Sequence, residues 1–416
     1  MFDAHLDRQI VVALFPVLRA QWQLSDVQLG SLVSIVSLMV AACAVPGALL
    51  ADRAGHARAL VAMVVLWNAA TLACAAAGSY GTMVGLRALV GVAQAAFGAV
   101  SAAMLAALFP PHARGTILGL FLAAGLVGNA LGVFVGGVIA ARWDWSTAFA
   151  AAALPGFALA VLLLALGSRA GAGAGPVVRA GAPWLGHLRR LIRTRTLLLL
   201  CLGGGFQLLT VAALASWMPA FLYRSHGLDV ARAGSAASLV LVVGVLGAVG
   251  WGVVCDRLGA ARPALRVLIP ACLAAATAAL ATYTFALASP GTLQYALMIA
   301  TGAVMTGYLG PVAAAVADVA QPAVRATAIA FLALAHNLLG LAAGPMLAGL
   351  LSDALDLRTA LAVVPAASIA AAALFVMAAR SYVSDRDAAA LVPSWAGEAP
   401  SAPAALHPPA TDRRAP

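Results

Sequence analysis

The chain has few ionisable residues at positions where they could do chemistry. Asp7 is the strongest candidate, because it precedes an apolar segment and is followed directly by Arg8. Apart from Asp3 beside it, the other carboxylates lie at the ends of apolar segments or outside them. Burial favours the neutral form of a carboxyl group, whereas an adjacent arginine favours the charged form. That competition suits a proton-binding group; a helix cap or a solvated terminus is the structural alternative.

Arg87 stands inside another apolar segment, seven residues before Gln94. Seven residues are two helical turns, so both side chains can share one face of a helix. A buried arginine can bind a carboxylate or a phosphate through two parallel hydrogen bonds. It can equally act as a structural tie to backbone carbonyl groups. We expect Arg87 and Gln94 to line a substrate site.

Three further polar residues interrupt apolar segments. Gln207 follows the run Gly203–Gly205, which permits a bent helix or close helix packing, and we expect its side chain to line the pore as part of the substrate site. His336 is followed by Asn337. Ionisable side chains inside a membrane are rare and usually functional. A lone histidine there is more often a hydrogen-bonded packing residue, so substrate binding and packing are both open for this pair.

Several reaction classes are excluded by composition. All 24 basic residues are arginine, so the lysine that a phosphate-binding Walker loop requires is absent. The single glutamate, Glu398, has no histidines beside it, which excludes an HExxH metalloprotease. The five cysteines stand singly, without a CxxC pair. We therefore expect no enzyme, no cofactor and no metal site.

The overall composition is that of a membrane protein. Of the 416 residues, 63% are hydrophobic and 9% are charged. Soluble domains are about 45–50% apolar and about 25% charged. A net charge of +10 can indicate nucleic-acid binding, but here the arginines lie in loops between apolar runs. We expect a lipid bilayer as the surroundings and no nucleic acid as a partner.

A transmembrane helix needs about 20 apolar residues. Eleven segments qualify: 29–50, 58–78, 82–108, 115–140, 146–167, 196–222, 234–254, 264–288, 291–317, 325–350 and 359–379. A twelfth, at the N-terminus, is continuously apolar only over residues 10–18, which is about 14 Å of the roughly 30 Å required. We expect a truncated first helix with the natural start upstream, or else a degenerate first helix.

The arginines predict the orientation and the boundaries of the halves. Seventeen of them lie on one side of the predicted membrane and five on the other. The positive-inside rule then places both termini in the cytoplasm of a bacterial inner membrane. Residues 168–195 form an arginine-rich linker between two six-helix halves, 1–167 and 196–380. Residues 381–416 are rich in proline and alanine and are expected to be a disordered tail.

Two sets of residues recur at constant offsets between the halves. Duplicated halves with a site near the middle of the membrane are typical of secondary transporters. Asp52, Arg53, Gly55 and Arg58 match Asp256, Arg257, Gly259 and Arg262 at an offset of 204, and Gly128, Gly132 and Gly137 match Gly340, Gly344 and Gly349 at an offset of 212.

The first of these repeats resembles the loop motif of the major facilitator superfamily, G-x-L-A-D-R-x-G-R-[RK]. Here it reads ALLADRAGHAR over residues 48–58, with His56 and Ala57 in place of the usual basic pair. The resemblance implies an all-α membrane protein of two pseudo-symmetric six-helix bundles. It also implies that Asp52 and Arg53 hold a cytoplasmic gate through charge pairing with neighbouring helices.

Within the superfamily the chain is most similar to the Spinster-like branch. The segments that carry this resemblance are LDRQ (6–9), RALVGVAQA (87–95), WMPAF (217–221) and RATAIAFLALAHNLLGLAAGPMLAGLLSD (325–353). The resemblance assigns Asp7 and Arg8 to proton coupling. The Spinster pattern normally has glutamate where Gln94 stands, which leaves Asp7 as the main titratable site. Hexuronate and organic-anion symporters share parts of these motifs.

These features predict a monomeric secondary transporter that moves a small organic anion or amphiphile, coupled to protons, by alternating access. A drug–proton antiporter is the first alternative, because residues 132–137 approximate the antiporter motif of the superfamily, with Val133 in place of proline. A non-transporting membrane sensor on the same scaffold is the second.

Overall fold

The computed structural model describes residues 1–170, 194–321 and 324–391. The regular elements of this part are helices, which we group into twelve segments. In the first half these are α1 (Phe2–Ala13 and Phe15–Trp22), α2 (Asp26–Ala54), α3 (His56–Cys74), α4 (Tyr80–Gln94 and Phe97–Leu108), α5 (Pro111–Arg142) and α6 (Trp145–Ala170).

The second half has the same organisation. Its segments are α7 (Arg195–His226), α8 (Val230–Ala261), α9 (Leu265–Thr282, continued by the π-helical Tyr283–Leu287), α10 (Thr292–Met305 and Leu309–Val319), α11 (Arg325–Ala335, the π-helical His336–Ala342 and Ala343–Ala354) and α12 (Leu357–Val363 and Ala366–Ala390). Eleven of the described segments, α2 to α12, are long and apolar enough to cross a membrane. The eleven spans predicted from hydropathy are therefore confirmed.

Polar side chains begin several of these helices. The Ser25 hydroxyl accepts from the backbone N–H of Gln28, whose side chain accepts from the backbone N–H of Ser25, so α2 starts with a capping box. Asp229 and Asp356 cap α8 and α12 in the simpler way, each accepting a backbone N–H three residues on. These caps lie at the short turns, where the sequence places its polar residues.

The predicted linker and tail lie largely outside the described residues. Of the linker at 168–195, residues 171–193 are outside, as are residues 392–416 of the tail. The helix α12 continues to Ala390, ten residues beyond the predicted boundary at 380. Its polar end is held by protein, since the buried Tyr382 donates its hydroxyl to Asp318 at 2.7 Å.

The first helix is longer than its apolar stretch. Its two parts cover Phe2 to Trp22, about 30 Å at 1.5 Å per residue, with a break at Leu14. Asp3 and Asp7 in its polar half are both buried. Hydropathy underestimated the length of this helix because its polar residues contact protein and are not exposed to lipid.

Glycines of α5 allow that contact. A Cβ atom at Gly132 would lie 2.5 Å from the carbonyl oxygen of Leu6, and one at Gly136 would lie 2.8 Å from Cγ1 of Ile10. Small residues let helix backbones approach closely in a membrane, where apolar side chains gain little by leaving lipid. The polar half of α1 is thereby held against α5 inside the first half.

The same packing recurs in the second half. A Cβ at Gly344 of α11 would lie 2.5 Å from the carbonyl oxygen of Leu209 on α7. Gly344 matches Gly132 at the offset of 212 found in the sequence. The repeated glycines therefore seat the first helix of each half against the fifth.

Two helix crossings join the halves. At the first, between α2 and α11, a Cβ at Gly349 would lie 2.5 Å from the carbonyl oxygen of Asp26. Gly30 faces the carbonyl oxygen of Pro345 at similarly short range. Trp217 of α7 donates its indole N–H to that same carbonyl at 2.9 Å. At these two glycines the closest approach between the helices is to backbone atoms.

The second crossing, between α5 and α8, repeats the first. A Cβ at Gly137 would lie 3.0 Å from the carbonyl oxygen of Val230, and one at Gly234 would lie 3.0 Å from that of Val133. Each of these four residues has a counterpart at the first crossing. The residues of α5 match those of α11 at an offset of 212, and the residues of α2 match those of α8 at an offset of 204. Residues at duplicated positions of the sequence therefore form both crossings between the halves.

Only the first crossing carries charged groups among these paired positions. The Asp26 carboxylate accepts two hydrogen bonds from Arg224, at 2.7 and 2.8 Å, and one from Arg19 at 2.6 Å. Ser352 of α11 also donates its hydroxyl to this carboxylate. We call the end of the bundle that holds these residues the Asp26 end. The opposite end, which holds the turn after α2, is the Asp52 end.

A second carboxylate completes this crossing. Asp353, at the end of α11, accepts the backbone N–H groups of Asp26 at 2.7 Å and Val27 at 2.8 Å. A carboxylate at a helix N-terminus binds free N–H groups and interacts favourably with the helix dipole. The second half therefore caps a helix of the first half. At the other crossing the counterpart of Asp26 is the apolar Val230.

We predict that Gly349→Ala opens the Asp26 end. The new Cβ would meet the backbone of Asp26, which cannot move aside as a side chain could. Overpacking of this kind costs about 1–3 kcal/mol, which is about fivefold to 150-fold in the ratio of closed to open states. Spin labels at the exposed Gln23 and Leu355, in a cysteine-free background, should report a longer distance between them.

Gly250→Ala is the matched control, because a Cβ at this exposed position of α8 would have nothing within 4 Å. It should leave the distance distribution unchanged. Identical distributions for both variants would contradict the packing described for the α2–α11 crossing.

Candidate functional site

Asp7 lies at the centre of a buried polar cluster between α1, α3 and α4. Thr71 donates its hydroxyl to Oδ1 of Asp7 at 2.9 Å, and Arg87 donates to the same oxygen at 3.4 Å. The amide of Gln94 donates to Oδ2 at 3.3 Å. Asp7 has no solvent exposure. The predicted Asp7, Arg87 and Gln94 are thus brought together, and Thr71 joins them.

The guanidinium of Arg87 is taken up by protein groups. Besides Asp7 Oδ1, it donates to the carbonyl oxygens of Leu32 at 3.3 Å, Asp7 at 3.3 Å and Arg8 at 3.4 Å. Its side chain has no solvent exposure. Arg87 therefore acts as the tie to backbone carbonyl groups that was the alternative considered from sequence, and it also contacts the carboxylate of Asp7. Substrate binding by Arg87 stays a prediction.

Arg8 occupies the edge of the same cluster. Its Nε donates to Oε1 of Gln94 at 2.8 Å, and the amide nitrogen of Gln94 donates onward to Asp7. The side chain at position 94 thus accepts one hydrogen bond and donates another. The amide of glutamine can do both, whereas an ionised glutamate could only accept and would place a second carboxylate beside Asp7. Arg8 is half-buried, whereas Arg87 is fully buried. Of these two cations, Arg8 is the one that retains exposure.

The formal charge of the cluster depends on the proton of Asp7. Arg8 and Arg87 contribute two positive charges and an ionised Asp7 contributes one negative charge. The cluster therefore carries a net charge of about +1 when Asp7 is ionised and about +2 when it is protonated. Charges inside a membrane are costly unless paired, so this excess makes the cluster a place where an anion would be stabilised.

A second pair lies one turn away on the same two helices. Asn68 of α3 donates its amide to Oδ2 of Asp3 at 3.3 Å. Asn68 and Thr71 are three residues apart and therefore lie on one face of α3. Asp3 and Asp7 are four residues apart and lie on the face of α1 that is turned towards it. Sequence reasoning passed over Asn68 and Thr71. Their spacing within an apolar span was the available signal.

Gln207 lies in the second half, away from this cluster. Its amide donates to the hydroxyl of Thr277 at 3.2 Å and to the carbonyl oxygen of Met305 at 3.0 Å. The side chain is fully buried. Gln207 therefore joins α7 to α9 and α10 in this conformation.

His336 and Asn337 lie where α11 changes to a π-helix, over His336–Ala342. The imidazole of His336 packs on Gly204 of α7, and its ring centroid is 6.1 Å from that of Tyr308. The amide of Asn337 donates to the carbonyl oxygen of Ala333 at 2.9 Å. π-Helical turns are frequent at functional sites, and this one is on a helix that crosses between the halves.

The predicted gating residues of the first half lie at the Asp52 end. Asp52 Oδ1 is 3.1 Å from Nε2 of the buried His56, at the start of α3. Gly55 has a φ of 87°, a backbone conformation that favours glycine. Arg53 and Arg58 are exposed. His56, which stands where the motif has a basic residue, is a partner of Asp52 in the structure.

The matching residues of the second half are arranged differently. Gly259 is buried within α8, which continues to Ala261, so the tight turn seen at Gly55 is not repeated. Asp256, Arg257 and Arg262 are exposed. The identical residues at an offset of 204 thus adopt different local structures in the two halves.

Sequence reasoning missed the charged groups of the Asp26 end. Arg224 and Asp26 are 198 positions apart and each stands at the end of a predicted span. Charged residues at the ends of predicted spans are expected in solvent-exposed loops. The sequence therefore offered no indication that Arg224 and Asp26 pair across the two halves.

Known proteins place this arrangement in a family. The profile of the Major Facilitator Superfamily matches residues 1–338. An MFS-type efflux pump of Mycolicibacterium smegmatis is 28% identical over 359 residues, which cover 84% of this chain and 82% of that protein. Protein spinster homolog 1 of Homo sapiens is 28% identical over 390 residues, covering 84% of this chain and 71% of that protein.

A solved structure shares the fold. The crystal structure of a bacterial homologue of the human lysosomal transporter Spinster, inward-facing and unoccupied, matches with a TM-score of 0.83 at 20% identity. The match covers 92% of this chain and 96% of that one. The chain belongs to the major facilitator superfamily, where it is most like the Spinster-like branch, and it is a multi-pass membrane transporter rather than an enzyme.

Proposed function

We propose that this protein couples the movement of protons to that of a small organic anion or amphiphile, by alternating access between its two halves. The observation that carries the proposal is the fully buried Asp7, held between Arg87, Gln94 and Thr71. A carboxyl group in that position can take up and release a proton without contact with lipid. Among the described residues, Asp7 is the one carboxylate without any solvent exposure.

The charge of the cluster provides a coupling mechanism. Protonation of Asp7 removes the one negative charge that Arg8 and Arg87 share, so an anion is bound more strongly by the protonated cluster. By linkage, the bound anion raises the affinity for the proton to the same degree. Proton and anion then favour each other's binding, which supports co-transport over exchange.

Arg8 is the residue we assign to the anion. It is half-buried and its guanidinium makes one side-chain hydrogen bond, to Gln94. Arg87 holds Asp7 and three backbone carbonyls and serves as the counter-ion. Gln207, His336 and Asn337 would contact substrate from the second half when the halves approach around it.

The closed Asp26 end supports the alternating-access part of the proposal. With the arginine distribution taken as the guide to topology, the Asp52 end faces the cytoplasm and the Asp26 end faces the periplasm of a bacterial inner membrane. The structure would then be closed towards the periplasm. In the opposite state the contacts of Asp26 with Arg224 and Ser352 must break. The charged residues around Asp52 and Asp256, which include Arg53 and Arg257, would come together as the cytoplasmic gate of a monomer.

A drug–proton antiporter is the second candidate. The relative in Mycolicibacterium smegmatis is described as an efflux pump, which supports export as a function of this fold. The charge of the cluster argues against a cationic drug, because Arg8 and Arg87 would repel it. A neutral or anionic compound meets no such repulsion.

We predict that Asp7→Asn abolishes substrate-driven proton movement. Asparagine keeps the hydrogen-bonding shape of the side chain but cannot titrate. Purified protein in proteoliposomes with an internal pH dye would be given lysolipids, organic acids and cationic drugs in turn. The wild-type chain should show proton flux with an anionic ligand, and Asp7→Asn should show only the background leak.

Asp229→Asn is the control, since Asp229 caps α8 at an exposed position and asparagine is an equally good cap. It should retain the full flux. An Asp7→Asn protein that still moves protons with its ligand would refute the role given to Asp7. Flux driven only by cations would favour the antiporter.

We further predict that Arg8→Gln weakens binding of the anionic ligand, while Asp7 remains able to bind and release a proton. A hydrogen bond to a charged group is worth about 1.5–3 kcal/mol, so the apparent affinity should fall about tenfold or more. Arg232→Gln is the matched control, because it removes the same charge from an exposed position. Equal affinities for Arg8→Gln and Arg232→Gln would remove Arg8 from the site.

A further inference from the structure

Asp3 is a second buried carboxyl group on α1, and the proposed coupling through Asp7 does not use it. It is 7% exposed and lies one helical turn before Asp7, on the same face of the helix. Both carboxyl groups point towards α3, where Asn68 and Thr71 are their partners. Asp3 is also the nearer of the two to the Asp52 end, because α1 runs from that end towards the Asp26 end.

The surroundings of Asp3 are incompletely hydrogen-bonded. Among the described residues, Oδ1 of Asp3, Oδ1 of Asn68 and Nε1 of Trp67 are buried without a hydrogen-bond partner. Trp67 and Asn68 have no solvent exposure. Buried polar atoms normally have partners, so three orphans in one cluster require an explanation.

A carboxyl group that titrates would satisfy this cluster in both of its states. An ionised carboxylate only accepts hydrogen bonds, whereas a protonated one also donates. The indole N–H of Trp67 is the spare donor beside an ionised Asp3. The carbonyl oxygen of Asn68 is the spare acceptor for a protonated Asp3. The cluster thus offers one hydrogen bond to each protonation state.

The charges around Asp3 differ from those around Asp7. Within the described part of the chain, the charged groups that act on Asp3 are the amino group of Met1, directly before α1, and the carboxylate of Asp7, on α1. The neighbouring α3 contributes the neutral Trp67 and Asn68, α5 contributes Asn129, which binds His5, and α6 contributes Gly156 against Asn68. No arginine there contacts Asp3, whereas Arg87 contacts Asp7.

The wall of the site is apolar. The ring of Phe97 on α4 lies edge-on to Trp67, with centroids 4.8 Å apart. Ala4 and Trp67 belong to the same buried apolar cluster, against which Leu159 and Leu163 of α6 pack. An ionised carboxylate at this site has apolar side chains and few polar groups as its neighbours, and such surroundings stabilise a charge poorly.

We propose that Asp3 is a second proton-binding carboxyl group, in series with Asp7, on the side of the Asp52 end. The inference rests on the proton coupling proposed for Asp7. In the transfer, the O–H bond of protonated Asp7 breaks and an O–H bond forms on Asp3, so the pair keeps a single negative charge. That charge moves to Asp7, where Arg87 neutralises it. Side chains one turn apart are separated by about 5–6 Å, a gap that one water molecule can bridge.

Infrared difference spectroscopy tests this without a known substrate. Purified full-length protein would be titrated between alkaline and acidic buffer, and the carbonyl stretch of protonated carboxyl groups would be recorded. The wild-type spectrum should contain one component that disappears in Asp3→Asn and a different one that disappears in Asp7→Asn. The double variant should lack both, and Asp229→Asn should retain both.

Asp3→Glu keeps the proposal testable if Asp3→Asn does not fold. Glutamate is titratable, so the component should persist at a shifted frequency. A spectrum of Asp3→Asn identical to that of the wild type would overturn the proposal. A component of Asp3 that does not change with pH would overturn it as well, since the group would then be permanently protonated.

Transport separates the failure of this inference from the failure of the proposed function. In proteoliposomes, Asp3→Asn should retain ligand-driven proton flux but with a changed dependence of its rate on pH, whereas Asp7→Asn should lose the flux. If Asp7→Asn keeps the flux, the proposed coupling fails. If Asp7→Asn loses it while Asp3→Asn matches the wild type in both spectrum and pH profile, only the role of Asp3 fails.

Discussion

Close contact between helix backbones is the constraint on which this structure depends. In a bilayer, apolar side chains gain little by exchanging lipid for protein, so helices associate where small residues let backbones meet. Gly132 admits α1 to the surface of α5, and Gly344 does the same for α7 on α11. The same two helices supply Gly137 and Gly349 to the crossings between the halves. One pair of glycine stripes therefore determines the packing within each half and between them.

The chemistry of the polar cluster depends on that packing. An aspartate at the centre of a lipid-facing helix costs about 2.5–3.5 kcal/mol even on the mildest scale. Because α5 holds α1 inside the first half, Asp7 meets Arg87, Thr71 and Gln94 and not lipid. The charge is then partnered, and Arg87 in turn satisfies three backbone carbonyls. Removal of the glycines would affect the cluster without touching any of its members.

Hydropathy and repeat spacing predicted the eleven spans and the duplication, because both are properties of the chain read locally. They underestimated α1, since hydropathy measures compatibility with lipid and the polar face of α1 contacts protein. Asp7, Arg87 and Gln94 were predictable as intramembrane polar residues. Their partner Thr71 and the pairing of Asp26 with Arg224 were not, because such contacts join helices in an order that spacing does not encode. The repeat also predicted the same local structure at Gly55 and Gly259. The structure has a turn at Gly55 and continuous helix at Gly259, because a repeated residue type does not by itself determine the backbone conformation.

The two crossings share their backbone geometry but not their charges. A symmetric pair would hold the Asp26 end with equal strength on both sides, yet Asp26 has Val230 as its counterpart, and Ser352 and Asp353 act only on α2. The polar contribution to closure is therefore concentrated at the α2–α11 crossing. Arg19 of α1 takes part in it, and α1 is also the segment that carries Asp7 and Arg8. We expect a displacement of α1 caused by a change of charge at Asp7 to alter the contact between Arg19 and Asp26, about 18 Å further along the same segment. That shared helix gives the buried site a covalent connection to the contacts that keep this end of the transporter closed.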